Sequence, residues 1–210
     1  MVAKFPFPTE PTAYVALDTV EKMLVRMTAR IFVGFPLCRN EEWIRTAKEY
    51  VDSVLKTMIA LRCYPDWMKP ILAVFHPATW ESARTVKIAN RLVGDDVLAR
   101  QRKGKEGSDE ELDFTHFMME AGNEYETQPH KLAQRQLVLN LGAIHSTSTT
   151  AVQALFDMIS RPEYIEPLRE EIRTQLKKHG GWTKSAVSGM VKMDSFLRES
   201  QRLHPPSLCK

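Results

Sequence analysis

Five consecutive hydroxyl residues, Ser146-Thr147-Ser148-Thr149-Thr150, follow Gly142-Ala143-Ile144-His145 inside an otherwise apolar stretch. A hydroxyl donates one hydrogen bond and accepts two, and an imidazole changes charge near neutral pH. His145 and a hydroxyl could therefore line a polar notch in a buried helix, beside small Gly142 and Ala143 that would let a flat ligand approach the backbone. A plainer reading competes, in which the hydroxyls bond back to carbonyls one turn earlier and His145 is a hydrogen-bonded core residue. A second spacing, Glu199-x-x-Arg202, places opposite charges on one helix face. Taken alone it is an ordinary surface pair. Cys38, Cys63 and Cys209 are odd in number, far apart and without a C-x-x-C pair, so neither a disulfide framework nor a metal site is indicated.

Helices must position these groups. Leu17, Val20, Leu24, Met27 and Ile31 recur at spacings of three and four and predict a helix over Leu17–Val33, stopped by Gly34-Phe35-Pro36. Asn40 is a candidate N-cap for a second helix, with Glu41 and Glu42 opposing the positive end of its dipole. Tyr64 to Pro70 reads as a turn feeding a short apolar helix, and Trp80 to Ala99 as another helix. The stretch from Gln101 to Leu112 is charged and nearly free of apolar residues, which predicts a mobile loop over about 101–112. From Lys131 to about Ile159 the apolar positions continue without proline, predicting a helix well above average length. Pro162 opens the stripe Tyr164, Ile165, Leu168, Ile172, Leu176, closed by Gly180-Gly181. Thr183 caps a short helix to Met190, and Asp194–Leu203 forms the last. Useful strand alternation is missing, so the expected fold class is all-α.

The 210 residues are 43% apolar, enough for one sizeable core. Twenty-nine basic against twenty-six acidic residues leave a charge of +3, too slight and too evenly spread to imply nucleic acid. Prolines interrupt the N-terminus where a signal peptide would carry its apolar stretch, and no apolar run approaches a membrane span.

The segment Phe196-Leu197-Arg198-Glu199-Ser200-Gln201-Arg202-Leu203-His204-Pro205-Pro206 resembles the helix of cytochrome P-450 enzymes that carries their E-x-x-R motif. Leu141-Gly142-Ala143-Ile144-His145-Ser146-Thr147-Ser148 resembles the family's long oxygen-binding helix, whose usual pattern is Ala/Gly-Gly-x-Asp/Glu-Thr-Thr. Arg30-Ile31-Phe32-Val33-Gly34-Phe35-Pro36-Leu37-Cys38-Arg39-Asn40-Glu41-Glu42-Trp43 is similar to a segment of fungal secondary-metabolite members. The three stand in the family's order, and the resemblance runs from about Thr12 to Leu208.

The resemblance implies that 1–210 is a single partial domain, the central helical portion of the family fold. It implies a monooxygenase using haem, O2, a small organic substrate and electrons from an NADPH-dependent reductase. His145 takes the position of the family's acidic residue and Ser146 that of its threonine, the proton-delivering pair. Serine keeps the hydroxyl and loses the methyl group that restricts its rotamer. Gly142 and Ala143 would face the haem. Glu199 and Arg202 would lock their helix to a later arginine that has no counterpart here, leaving their network incomplete. The family holds iron through a cysteine thiolate, and none of the three cysteines matches it. The chain as given is therefore expected to be truncated, inactive and without bound haem; a non-catalytic remnant and a helical interaction protein are the alternatives. Members of this type are anchored in the endoplasmic reticulum membrane, whereas this sequence shows neither anchor nor signal peptide.

Overall fold

The computed structural model describes residues 13, 15–103 and 112–205. All regular structure among them is helical, as the sequence implies, and no strand occurs. No helix among the described residues is long and apolar enough to cross a membrane. The chain divides into two compact units, residues 1–13 with 21–145, and residues 14–20 with 146–210.

In the first unit, the part of α1 (Ala16–Phe32) from residue 21 onward buries Val25 and Ala29. It ends at Gly34, whose φ of 64° is a left-handed conformation that glycine adopts without a steric penalty. A 3-10 turn over Leu37–Arg39 leads to α2 (Glu41–Arg62). The Asn40 side chain accepts from the backbone N–H groups of Glu42 at 2.8 Å and Trp43 at 3.3 Å, the expected N-cap. Trp43, Ala47 and Val51 recur four apart on the buried face of α2, which packs against α4 (Pro77–Lys103). Ala89, Val93 and Val97 answer them from α4 with the same spacing. Between these helices lies α3 (Lys69–Phe75), which buries none of its side chains.

Helix α4 begins before the expected Trp80 and extends three residues into the expected loop. Positions 104–111 of that loop lie outside the described residues. The charged composition does not stop the helix at Ala99, because Asp96 accepts from the Arg100 guanidinium one turn on, at 2.8 Å. A helix without a sequence signal, α5 (Phe114–Ala121), comes next, its first turn capped by Asp113, which accepts from the His116 N–H at 2.9 Å.

The last carbonyls of α1 have no helical partners and are satisfied by side chains. Thr115 Oγ1 and Gln136 Nε2 both donate to the Phe32 carbonyl at 2.9 Å, and Gln136 also donates to Thr115 at 2.7 Å. Arg100 Nη2 donates to the Val33 carbonyl at 2.9 Å while the guanidinium grips both oxygens of Asp113. These bonds tie α1, α4, α5 and the first half of α6 (Pro129–Ser160) around the core built from Trp43, Val93, Leu132 and Leu137.

In the second unit, the later half of α6 is followed by a 3-10 turn at Pro162–Tyr164 and α7 (Ile165–His179). Gly180, at φ 70°, closes α7 as expected. Thr183 caps α8 (Lys184–Ser188), accepting from the Ala186 N–H at 3.1 Å. This helix stops two residues short of Met190, and α9 (Val191–Leu203) starts three before Asp194. A carboxylate from another helix explains the early start. Glu171 of α7 accepts from the N–H groups of Lys192 at 2.8 Å and Met193 at 2.9 Å, supplying from outside the cap that the local sequence lacks.

Candidate functional site

Helix α6 runs unbroken through the hydroxyl cluster. With about 100° of rotation per residue, Leu137, Asn140, Ile144 and Ser148 share one side of it, and all four are buried. Val138, Gly142, His145 and Ser146 share the opposite side, and all four are exposed. This placement corrects two expectations. His145 is neither a core histidine nor part of a polar notch within a buried helix, and the hydroxyl that is buried is Ser148. The reason is rotational: the apolar positions that seat α6 fix which residues face away. Ala143 is half-buried between the two sides.

The back-bonding reading holds for Thr150, whose Oγ1 donates to the Ser146 carbonyl at 2.8 Å. Such a bond satisfies a hydroxyl within its own helix. A Cβ built on Gly142 would meet no atom within 4 Å.

Glu199 and Arg202 pair on α9. Arg202 Nε donates to Glu199 Oε2 at 2.8 Å and Nη2 to Oε1 at 2.7 Å. The two satisfy each other across one helical turn, the surface pair that their spacing implies. The bonds from Arg202 hold the Glu199 carboxyl below its usual range, and Glu199 in turn raises the guanidinium. Both side chains are exposed.

Sequence reasoning missed a cluster elsewhere in the second unit. Asp157, near the end of α6, accepts from Ser200 Oγ at 2.5 Å and from Gln153 Nε2 at 3.2 Å, with His204 Nε2 at 3.5 Å. The Ser200 hydrogen bond is the main cause lowering the Asp157 carboxyl from its usual range; Gln153, His204 and Arg161 add to it. A separation of 43 residues between Asp157 and Ser200 leaves no local spacing to read.

Residues 8–209 match the profile of the family described as Cytochrome P-450. The chain is 42% identical over 194 residues to Cytochrome P-450 monooxygenase AN1598 of Emericella nidulans, covering 90% of this chain and 36% of that protein. It is 39% identical over 194 residues to Cytochrome P-450 monooxygenase olcJ of Penicillium canescens, covering 91% and 37%. Against Ent-kaurene oxidase of Fusarium fujikuroi the identity is 38% over 184 residues, covering 88% and 34%. The all-helical architecture, with its long hydroxyl-bearing helix and a later E-x-x-R helix, agrees with this match. The chain belongs to the cytochrome P-450 family, and it spans about a third of the length of these curated relatives.

Haem is the group that the family implies. Gly142 stands on the exposed side of α6, where a flat group would meet no side chain at that position. The described cysteines do not fit as its thiolate: Cys38 is packed in the first unit's core, and Cys63 is the residue that closes α2. Cys209 lies outside the described residues.

Proposed function

We propose that this chain supplies the oxygen-facing helix of a haem-dependent monooxygenase of fungal secondary metabolism, an activity that belongs to a longer protein. The observation that carries the reading is the exposed strip of α6, where open backbone at Gly142 adjoins His145 and Ser146. Haem, when bound, supplies the activation of O2 for insertion of one oxygen atom into a small organic substrate, with electrons from an NADPH-dependent reductase. Gly142 and Ala143 would lie against it. The Ser146 hydroxyl, able to donate and accept at once, would hold a water, and the His145 ring would pass it protons. The relatives' names as monooxygenases and an oxidase support the reaction class. The continuous family match supports treating 1–210 as part of one domain.

The same reading assigns no haem thiolate to Cys38 or Cys63, the two cysteines among the described residues. A spectrum of the purified, reduced, carbon monoxide-treated chain tests this; the absorption of thiolate-bound haem would overturn it. Sequencing the transcript on either side of the codons for Met1 and Lys210 tests whether a longer protein is encoded: a frame that continues into a glycine-rich loop with a cysteine supports it, and a stop codon directly after Lys210 refutes it. In that protein, His145→Ala and Ser146→Ala should each lower product formed per NADPH by about tenfold or more at unchanged haem content. Unchanged coupling in both variants would refute the assigned roles.

A further inference from the structure

The second unit contains a groove of about 640 Å³ walled by the end of α6, the 3-10 turn, α7 and α9. Its size falls in the range of small-molecule sites. Its floor is apolar: Leu168 is buried, and the rings of Tyr164 and Phe196 lie 5.9 Å apart, tilted by 52°. Val191 and Leu203 continue that surface and are exposed.

The charged groups on its wall are unequal in their commitments. Asp157 is engaged by Ser200, Gln153 and His204, and Glu199 by both bonds from Arg202. Of the lining carboxylates only Glu163 stands outside such bonds among the described residues. Among them, too, neither the Arg161 guanidinium nor the Lys192 ammonium has a hydrogen bond or ion pair, although Arg161 is near enough to act on both Asp157 and Glu199. The N–H groups at the start of α9 are taken by Glu171, so the helix terminus is not what would attract a ligand. Cationic donors thus outnumber free carboxylates beside an aromatic floor.

We infer that this groove binds a flat hydrophobic carboxylate. Its rings lie on Tyr164, Phe196 and Leu168, and its carboxylate takes hydrogen bonds from Arg161 and Lys192, a charge-assisted arrangement. The inference concerns only the second unit and does not rest on the monooxygenase reading. Calorimetric titration of the folded 210-residue chain with 2-naphthoate tests it, with the neutral 2-naphthamide as the matched comparison. Naphthoate should bind at least about tenfold more tightly than the amide, and the double variant Arg161→Gln/Lys192→Gln should lose about tenfold or more. Phe196→Ala should weaken both compounds, with helicity by circular dichroism unchanged. Equal binding of acid and amide, unchanged binding in the double variant, or no binding at millimolar naphthoate would each overturn the assignment.

Discussion

Two arginines in this chain grip carboxylates with two bonds each, in nearly the same geometry and in opposite surroundings. Arg100 holds Asp113 at 3.0 and 2.9 Å, and Arg202 holds Glu199 at 2.8 and 2.7 Å. The first pair is 9% and 1% exposed, the second 67% and 53%. Water screens the exposed pair and competes for its hydrogen bonds, whereas the buried pair has only protein to answer its charge. Burial by itself works against the Arg100 charge; hydrogen bonding to Asp113 and the charges of Asp96 and Asp113 outweigh it and hold the guanidinium above its ordinary range. Hydrogen-bond geometry alone therefore does not rank the two pairs. What ranks them is the state left behind when one partner is removed.

The largest effect should come from Arg100→Met. It strands the Asp113 carboxylate in the interior and removes the donor to the Val33 carbonyl, which should cost about 3–5 kcal/mol. Urea unfolding followed by circular dichroism measures it, and a loss below about 1 kcal/mol would show that water reaches Asp113 after all. Gly34→Ala attacks the same region through the backbone. Gly34 stands at φ 64°, and a Cβ there would run into the Asp113 carboxyl group. A cost of about 1–3 kcal/mol is expected from the conformation, with the contact adding to it. Stability equal to the parent chain would mean that Asp113 can move aside, and with it the buried pair.

The contrast also explains which features are legible in the residues. Glu199-x-x-Arg202 is visible because three residues on a helix bring side chains together, and the long stripe of α6 is visible because apolar spacing repeats with the helix. Asn40 and Thr183 declare themselves as caps by their type and by the helix-forming residues just after them. Arg100 and Asp113 flank a charged stretch that argues for a loop, and nothing local says that both point inward. Helix α5 escapes for the same reason, since its cap is that same Asp113. The early start of α9 depends on Glu171 from α7, and the Asp157–Ser200 bond joins positions whose proximity only the fold creates. At α6 the residues of interest are legible, but the side of the helix on which they stand is not, because it depends on what Leu137, Ile144 and Ser148 pack into.

Asp157 lies between the two extremes, partly covered and held chiefly by Ser200. Its carboxyl is lowered in the folded state, so the bond contributes stability that is fully present above the unfolded carboxylate range, near pH 4. That contribution is lost as pH falls through the lower folded value. Acid unfolding of Asp157→Asn should therefore differ from the parent chain in its slope below about pH 4 and run parallel to it above about pH 5. Parallel curves throughout would show that the Ser200 bond survives protonation.

The smallest effect is expected at Arg202 and Glu199, although their bonds are shorter than those between Arg100 and Asp113. In the 210-residue chain, Glu199→Gln should leave the urea midpoint within measurement error, and raising salt should not separate the variant from the parent. Both side chains face water, an exposed charge is resolvated once its partner is gone, and the remaining Arg202 strands no buried group. A midpoint shift comparable to that of Arg100→Met would break the comparison and mean that the α9 pair supports a contact hidden from solvent.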